Sequence, residues 1–128
     1  MAGPTTSGLA ALQAGEDWHY VGATDEPAFQ NSWANLGGTA ADLGFRLRAG
    51  GEVNLQGVVT SGTVGAVIFT LPEGYRPNTD VRMGVTGSIS TTMSSGLLRV
   101  ETDGDVYGLR VPANHDTIYI SGSFWIVP

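Results

Sequence analysis

The sequence contains no cysteine, no lysine and no long apolar run. Without cysteine, the chain has no disulfide, no thiol nucleophile and no thiolate metal site. Because no stretch approaches the ~20 apolar residues of a membrane helix, we expect no membrane partner. The 6 basic residues are all arginine and are outnumbered by 12 acidic residues, which gives a net charge of −6. Such a chain is a poor match for a phosphate backbone, so we expect no nucleic-acid partner.

Glycine, by contrast, is abundant, with 19 residues among 128. It lacks the three-residue period of collagen and instead separates short runs that are rich in β-branched residues. Short alternating runs joined by glycine turns are typical of sheet proteins. About eight or nine such runs predict an all-β fold, an antiparallel β-sandwich or jelly-roll-like domain over residues 18–128.

The clearest pattern lies in residues 51–77. Every second position over residues 53–59 is apolar or glycine, which is the period of a strand with one face on a core. Gly57 within this run predicts a bulge or a close approach by a neighbouring segment. Residues 66–71 predict a second strand, which Pro72 ends because it lacks a backbone N–H.

The other strands follow from the same alternation and from turn residues. Asp103-Gly104 between two alternating runs is a strong hairpin signal. Residues 90–95 are rich in Ser and Thr and predict a loop, and Gly122 predicts a bulge. The further predicted strands cover residues 18–21, 44–48, 81–89, 97–101, 106–111 and 117–127.

Residues 1–17 differ from the rest and predict an N-terminal arm, either extended or a short helix. Ser7 can cap a helix over residues 8–14, on which Leu9 and Leu12 would share one face. Because a helix of this length is unstable alone in water, the arm is either docked on a partner or frayed. A disordered tail is the alternative interpretation.

No residue set predicts catalysis or a bound cofactor. His115-Asp116 is the nearest approach to an acid–base pair, but no nucleophile motif accompanies it. Glu101, Asp103 and Asp105 resemble a fragment of a calcium loop, yet the full ligand pattern is missing and a hairpin turn explains them. We therefore expect no enzymatic activity, no cofactor and no metal ion.

The aromatic residues allow two interpretations. They can stack on sugar rings, or they can fill the core and interfaces, because aromatic side chains bury large areas. The core is favoured for Trp33 and Trp125, which have apolar neighbours, whereas Trp18 and Tyr75 are open to either interpretation. Tyr75 with Arg76 also fits a surface hot spot, where these residue types are enriched. The set considered comprises Trp18, Tyr20, Trp33, Tyr75, Tyr107, Tyr119 and Trp125.

Three segments together resemble a β-domain of bacteriophage virion proteins. They are the aromatic–polar–Trp run over residues 29–33, the G-x-V-x-L-x-G run over residues 51–57 and the F-x-LP-x-GYRP run over residues 69–77. The resemblance extends over roughly residues 18–128. Such domains commonly form the heads of tail fibres and of baseplate receptor-binding proteins, and similar domains decorate capsids.

This resemblance implies a non-enzymatic homotrimer on the virion surface, assembled in the cytoplasm of the host bacterium. Tail-fibre relatives carry a stalk before the domain, whereas about 17 residues precede it here. We therefore expect a capsid decoration protein. Its N-terminal arm would attach it to the major capsid protein or to tail proteins, with Leu9, Leu12 and Trp18 as contact candidates. The alternative is a tail-fibre or baseplate module that recognises a host surface carbohydrate, with Tyr75 and Arg76 as contact candidates.

Overall fold

A computed structural model describes residues 16–112 and 115–126. The predicted arm, including Leu9 and Leu12, lies almost entirely outside this part of the chain. Within it, every regular element is a β-strand, and none of its residues belongs to a helix that could cross a membrane. The prediction of an all-β fold is confirmed.

The strands form one antiparallel sheet that curls on itself, with the order β1-β3-β4-β9-β6-β7-β8-β5 and with β2 paired to β4. The strands β4 and β9 lie at the centre of this order and pair over their full lengths. The strands are β1 (His19–Tyr20), β2 (Ala34–Asn35), β3 (Gly44–Arg48), β4 (Glu52–Thr60), β5 (Val67–Thr70), β6 (Val81–Ile89), β7 (Thr92–Val100), β8 (Asp105–Gly108) and β9 (Thr117–Trp125).

The core lies on the inward face of the sheet because strand side chains alternate between its two faces. Val53, Leu55 and Val59 of β4 are buried on this face, as the period of two in the sequence predicts. Phe45 of β3 and Phe69 of β5 stack in the same core with ring centroids 5.9 Å apart. The outward positions of the central strands are therefore left for other contacts.

Gly57 makes the close approach that its place in the strand predicts. Its φ is +151°, and a Cβ atom here would overlap the Cα of Leu43. The backbone N–H of Val58 donates to Ala41 O at 3.0 Å, so residues 41–43 run beside β4. This contact places Ala41 and Asp42 at the edge of the outward face.

Three predictions about local structure are wrong. Residues 90–95 are not a loop, because β7 begins at Thr92 and the hairpin turns in two residues, with Ser90 at φ 53°. Threonine suits strands, and an outward face in water needs no apolar residues. Gly122 is not a bulge, because it pairs in register with Leu55. Trp125 is 59% exposed rather than buried, whereas Trp33, at 2%, is in the core as predicted.

Candidate functional site

A continuous groove crosses the outward face of the sheet; we call it the outer-face groove. It consists of three adjoining cavities of about 500, 280 and 270 Å³. Gln56 lines all three, Ala41 joins the first to the second, and Trp18 joins the second to the third. The shared residues show that the cavities are parts of one surface feature.

The floor of the groove is built from small and polar side chains of β4 and β9. Gln56 pairs with Ser121 and Asn54 pairs with Ser123, so these four side chains form adjacent rows. They point outward because the positions between them on β4 are buried in the core. The floor therefore offers amide and hydroxyl groups that can both donate and accept hydrogen bonds.

Aromatic rings stand at both sides of this floor. Trp18 and Tyr20 lie against Gly44, where a Cβ atom would be 3.1 Å from the Tyr20 ring and 3.3 Å from the Trp18 ring. The guanidinium of Arg46 lies 4.5 Å from the centroid of the Trp18 ring. On the far side, Tyr119 of β9 is 38% exposed and lines the largest cavity.

The groove carries little charge, although the whole chain is acidic. Asp42 and Arg46 are the charged residues among those that line it. The Arg46 Nε donates a hydrogen bond to Asn54 Oδ1 at 3.2 Å, which fixes the guanidinium beside Trp18. The largest cavity is open at Gly84, where a Cβ atom would meet no other atom within 4 Å.

Directly behind the aromatic pair lies a polar cluster, the His19 clamp, formed by Glu16, His19, Glu26 and Tyr75. The Nδ1 of His19 is 2.7 Å from Glu26 Oε2, and its Nε2 is 3.2 Å from Glu16 Oε1 and 3.2 Å from the hydroxyl of Tyr75. The imidazole stacks on Phe45 with centroids 5.2 Å apart. The clamp thus joins the start of the domain to the core.

The clamp changes the acidity of its members. Partial burial lowers the pKa of His19, but hydrogen bonds to Glu26 and Glu16 and the charges of both outweigh it, so the net shift is upward from 6.5. Partial burial raises the pKa of Glu16, but hydrogen bonds from Tyr75, the Leu47 N–H and His19 bring it below 4.5. Burial, and then Glu16, raises the pKa of Tyr75. The two carboxylates therefore stabilise the protonated form of His19.

Of the residues predicted as contacts, Trp18 lines the groove and Tyr75 and Arg76 do not. Tyr75 packs edge-on against Phe45 at 5.0 Å. The Arg76 Nε donates to Leu71 O at 2.8 Å. Both side chains brace their loop, and a role for them in partner contact stays a prediction.

The acidic residues of the β7–β8 hairpin lie together, with one carboxylate oxygen of each of Glu101, Asp103 and Asp105 within 4.8 Å of the others. Asp103 Oδ1 accepts the Asp105 N–H at 3.0 Å, and Asp105 Oδ1 accepts the Thr70 hydroxyl at 2.7 Å. The first bond belongs to the predicted turn, and the second joins β5 to β8. At the other candidate pair, His115 is buried and Asp116 is exposed, so the two side chains face different surroundings.

Sequence reasoning named Trp18, Tyr20 and Tyr119 among seven aromatic residues but could not group them. They come from opposite ends of the chain, and the order of the strands brings them to one face. It missed Gln56 altogether, although this residue lines every part of the groove. The available signal was its outward position between two buried residues of β4.

Two solved structures are similar to this one. The head domain of lactococcal phage bIL170, described among the receptor-binding domains of lactococcal phages, has a TM-score of 0.60 and 17% identity over 87% of this chain and 98% of that chain. The receptor-binding protein gp15 of Listeria phage PSA has a TM-score of 0.65 and 15% identity over 99% of this chain and 83% of that chain. No protein-family model and no curated protein matches the sequence. The predicted resemblance to phage receptor-binding heads is confirmed at the level of the fold.

Proposed function

We propose that this chain is a bacteriophage receptor-binding domain whose outer-face groove binds a carbohydrate of the host cell surface. The observation that carries the proposal is the groove itself, in which Trp18 and Tyr20 stand beside a polar and nearly uncharged floor. The fold supports it, since both similar structures are described as receptor-binding. In this role the protein is a non-enzymatic component of the virion surface.

The chemistry of the groove matches that of a neutral sugar. A pyranose ring has faces of C–H groups, which pack on aromatic rings, and a rim of hydroxyl groups that donate and accept hydrogen bonds. Trp18, Tyr20 and Tyr119 supply the first kind of contact. Gln56 and Ser121 supply the second through their amide and hydroxyl groups. Three adjoining cavities give room for more than one sugar unit.

The capsid-decoration hypothesis receives less support from the described residues. Two of its contact candidates, Leu9 and Leu12, lie outside them. The third, Trp18, lines the groove beside Tyr20 and Gln56 and so has a ligand-facing position. Attachment to the particle through the arm and assembly as a homotrimer stay predictions of the sequence.

The proposal is tested by measuring binding of the full chain to cell-wall glycans purified from a panel of bacteria. We expect saturable binding to a subset of them. Trp18→Ala should weaken it about tenfold to hundredfold, because truncating a central aromatic contact costs roughly 1–3 kcal/mol. Absence of binding across the panel would contradict a carbohydrate-binding function.

Trp125→Ala is the matched control. Trp125 ends β9 on the same outward face and is 59% exposed, but it does not line the groove. It pairs with Glu52, two positions beyond the pair formed by Asn54 and Ser123. We expect this variant to bind like the wild type; an equal loss in both variants would show that binding does not depend on the groove.

A further inference from the structure

The segment that carries Trp18 and Tyr20 is attached to the sheet along one edge. The strand β1 has two residues and pairs with β3, where His19 lies opposite Phe45 and Tyr20 lies opposite Gly44. Backbone bonds from Glu16 N to Leu47 O at 3.1 Å and from Val21 N to Leu43 O at 3.0 Å hold its two ends. The side chains between these bonds decide how the two rings lie.

His19 is the inward side chain between the two outward rings. Strand alternation places Trp18 and Tyr20 over the groove and His19 against the core. The titratable groups that face His19 within the described residues are Glu16 before β1, Glu26 after it and Tyr75 from the loop between β5 and β6. From β3, the uncharged ring of Phe45 packs on its face.

The contacts of the imidazole differ between its two protonation states. When His19 is protonated, Nδ1–H donates to Glu26 and Nε2–H donates to Glu16, so the segment is tied on both sides of Trp18 and Tyr20. When His19 is neutral with Nδ1–H still bonded to Glu26, Nε2 has no proton to donate and instead accepts the Tyr75 hydroxyl, 3.2 Å away. The bond to Glu16, on the Trp18 side, is then lost.

We propose that His19 is a positioning residue of the groove: its protonated form, held between Glu16 and Glu26, fixes Trp18 and Tyr20 in the ligand-binding arrangement. If the groove binds a carbohydrate as proposed, the affinity for this ligand should fall as pH rises. Only this consequence rests on the proposed function. Because the carboxylates of Glu26 and Glu16 raise the pKa of His19, the protonated form persists to higher pH than in an isolated histidine and is lost as pH rises further.

Proton NMR tests the positioning without any ligand. The indole N–H of Trp18, assigned with Trp18→Phe, and the imidazole C–H signals of both histidines are followed from pH 5 to 9 in the full chain. We expect the Trp18 signal to shift with the midpoint of His19, above 6.5. A Trp18 signal that stays constant while His19 titrates would overturn the proposal, as would one that follows His115.

Two variants separate positioning from simple stabilisation. In His19→Gln the pH-dependent shift of the Trp18 indole should disappear. In Glu26→Gln the imidazole remains but loses its 2.7 Å carboxylate partner, so the midpoints of His19 and Trp18 should fall together. Glu73→Gln, at an exposed loop position, is the control and should leave both midpoints unchanged.

Affinity for a glycan found on the panel then gives the functional readout. If bound glycan raises the pKa of His19, the affinity of the wild type should fall between pH 6 and 9. The fall is at most about tenfold for each unit by which the pKa in the complex exceeds the pKa in the free protein. His19→Gln should show no such fall. If no glycan binds, the proposed function fails while the NMR result still decides the positioning role. If a glycan binds with constant affinity across this range, the function stands and its control by His19 is refuted.

Discussion

Two of the pairs of an aromatic residue and an arginine within the described residues have contrasting surroundings. Trp18 and Arg46 lie 4.5 Å apart on the outward face, where both line the groove. Tyr75 and Arg76 turn inward, with Tyr75 packed on Phe45 and Arg76 bonded to a loop carbonyl. The first pair leaves surface for a ligand, whereas the second is occupied by the protein itself.

This difference explains why the proposed binding site lies apart from the most recognisable motif in the sequence. The run over residues 69–77 satisfies its own polar groups: Tyr75 N donates to Pro72 O at 3.2 Å, and Arg76 Nε donates to Leu71 O. Such bonds specify a loop conformation whatever the ligand, so the motif indicates the fold. A ligand is bound by groups that the fold leaves unoccupied, which is why fold and function have to be argued separately.

The two regions meet at His19. Its ring contacts the Tyr75 hydroxyl on the core side, and its neighbours Trp18 and Tyr20 face the groove. The loop therefore contributes to the groove indirectly, through the contacts of Tyr75 with His19 and Glu16. Variants that damage the loop should therefore change stability, whereas variants that fill the groove should change ligand binding.

The largest effect is expected from Gly104→Ala, which disrupts the packing of the loop. Gly104 has a φ of +95°, and a Cβ atom would lie 2.5 Å from Leu71 O and 2.7 Å from Arg76 Nε. Backbone strain and collision should together lower the free energy of unfolding by about 2–4 kcal/mol, as measured by urea denaturation. The glycan affinity of the folded protein should be nearly unchanged.

Gly74→Ala separates the collision from the strain. Gly74 also has a positive φ, +92°, but a Cβ atom there meets nothing within 4 Å. The loss should be only about 1 kcal/mol, because strain acts alone. If both variants lost the same stability, the contact of Gly104 with Leu71 and Arg76 would contribute nothing to it.

Much of the fold follows from local sequence signals. The bounds of β3 and β6 match the predicted runs over residues 44–48 and 81–89, since one face of each strand packs on the core and imposes a period of two. The sequence does not predict the start of β7, because its first residues are mostly polar and even Met93 is exposed, so burial imposes no pattern. Local reasoning works where burial constrains the side chains.

The groove could not be predicted in the same way. Trp18 and Tyr119 share a surface because β3, β4 and β9 lie side by side, and pairings between distant strands leave no local signal. The exposure of Trp125 is likewise not predicted by its local sequence. Its apolar neighbours predict burial, yet strand alternation turns it outward from the end of β9.

The next largest effect is expected from Gly84→Gln, which fills the groove and spares the loop. Gly84 lies at an exposed position of β6, where a Cβ atom meets no other atom within 4 Å. Glutamine there should reduce glycan affinity about tenfold or more by occupying the largest cavity. The free energy of unfolding should hold or rise by up to about 1 kcal/mol, because glycine weakens a strand.

Met93→Gln is the control for this variant. Met93 is 61% exposed on β7 and does not line the groove. The substitution introduces the same glutamine side chain without a change in charge, and it should leave the glycan affinity unchanged. A graded series of Ala, Val and Gln at Gly84 should lower affinity with increasing size; affinity independent of size at this position would place the ligand elsewhere.

The smallest effect concerns the pH dependence of stability, and it tests the junction between the two regions. The pKa of His19 is raised in the folded state, so its contribution is complete below about 6.5 and is lost as pH rises through the higher folded value. The pKa of Glu16 is lowered, so its contribution is complete above about 4.5 and is lost as pH falls through the lower folded value. The clamp should therefore stabilise the fold most between these limits.

Difference curves isolate this contribution from the rest of the chain. Urea denaturation from pH 3.5 to 9 gives the free energy of unfolding of the wild type and of each variant. The difference between the wild type and His19→Gln should decrease as pH rises. The difference between the wild type and Glu16→Gln should decrease as pH falls. Asp80, whose pKa is lowered by its hydrogen bond to Arg99, and the second histidine, His115, are present in every variant and cancel. The amplitude should be small, because the Glu16 and His19 side chains are 36% and 32% exposed and water screens their charges. Flat difference curves would mean that the polar contacts of His19 and Glu16, including those with Tyr75, contribute nothing to the stability of the fold.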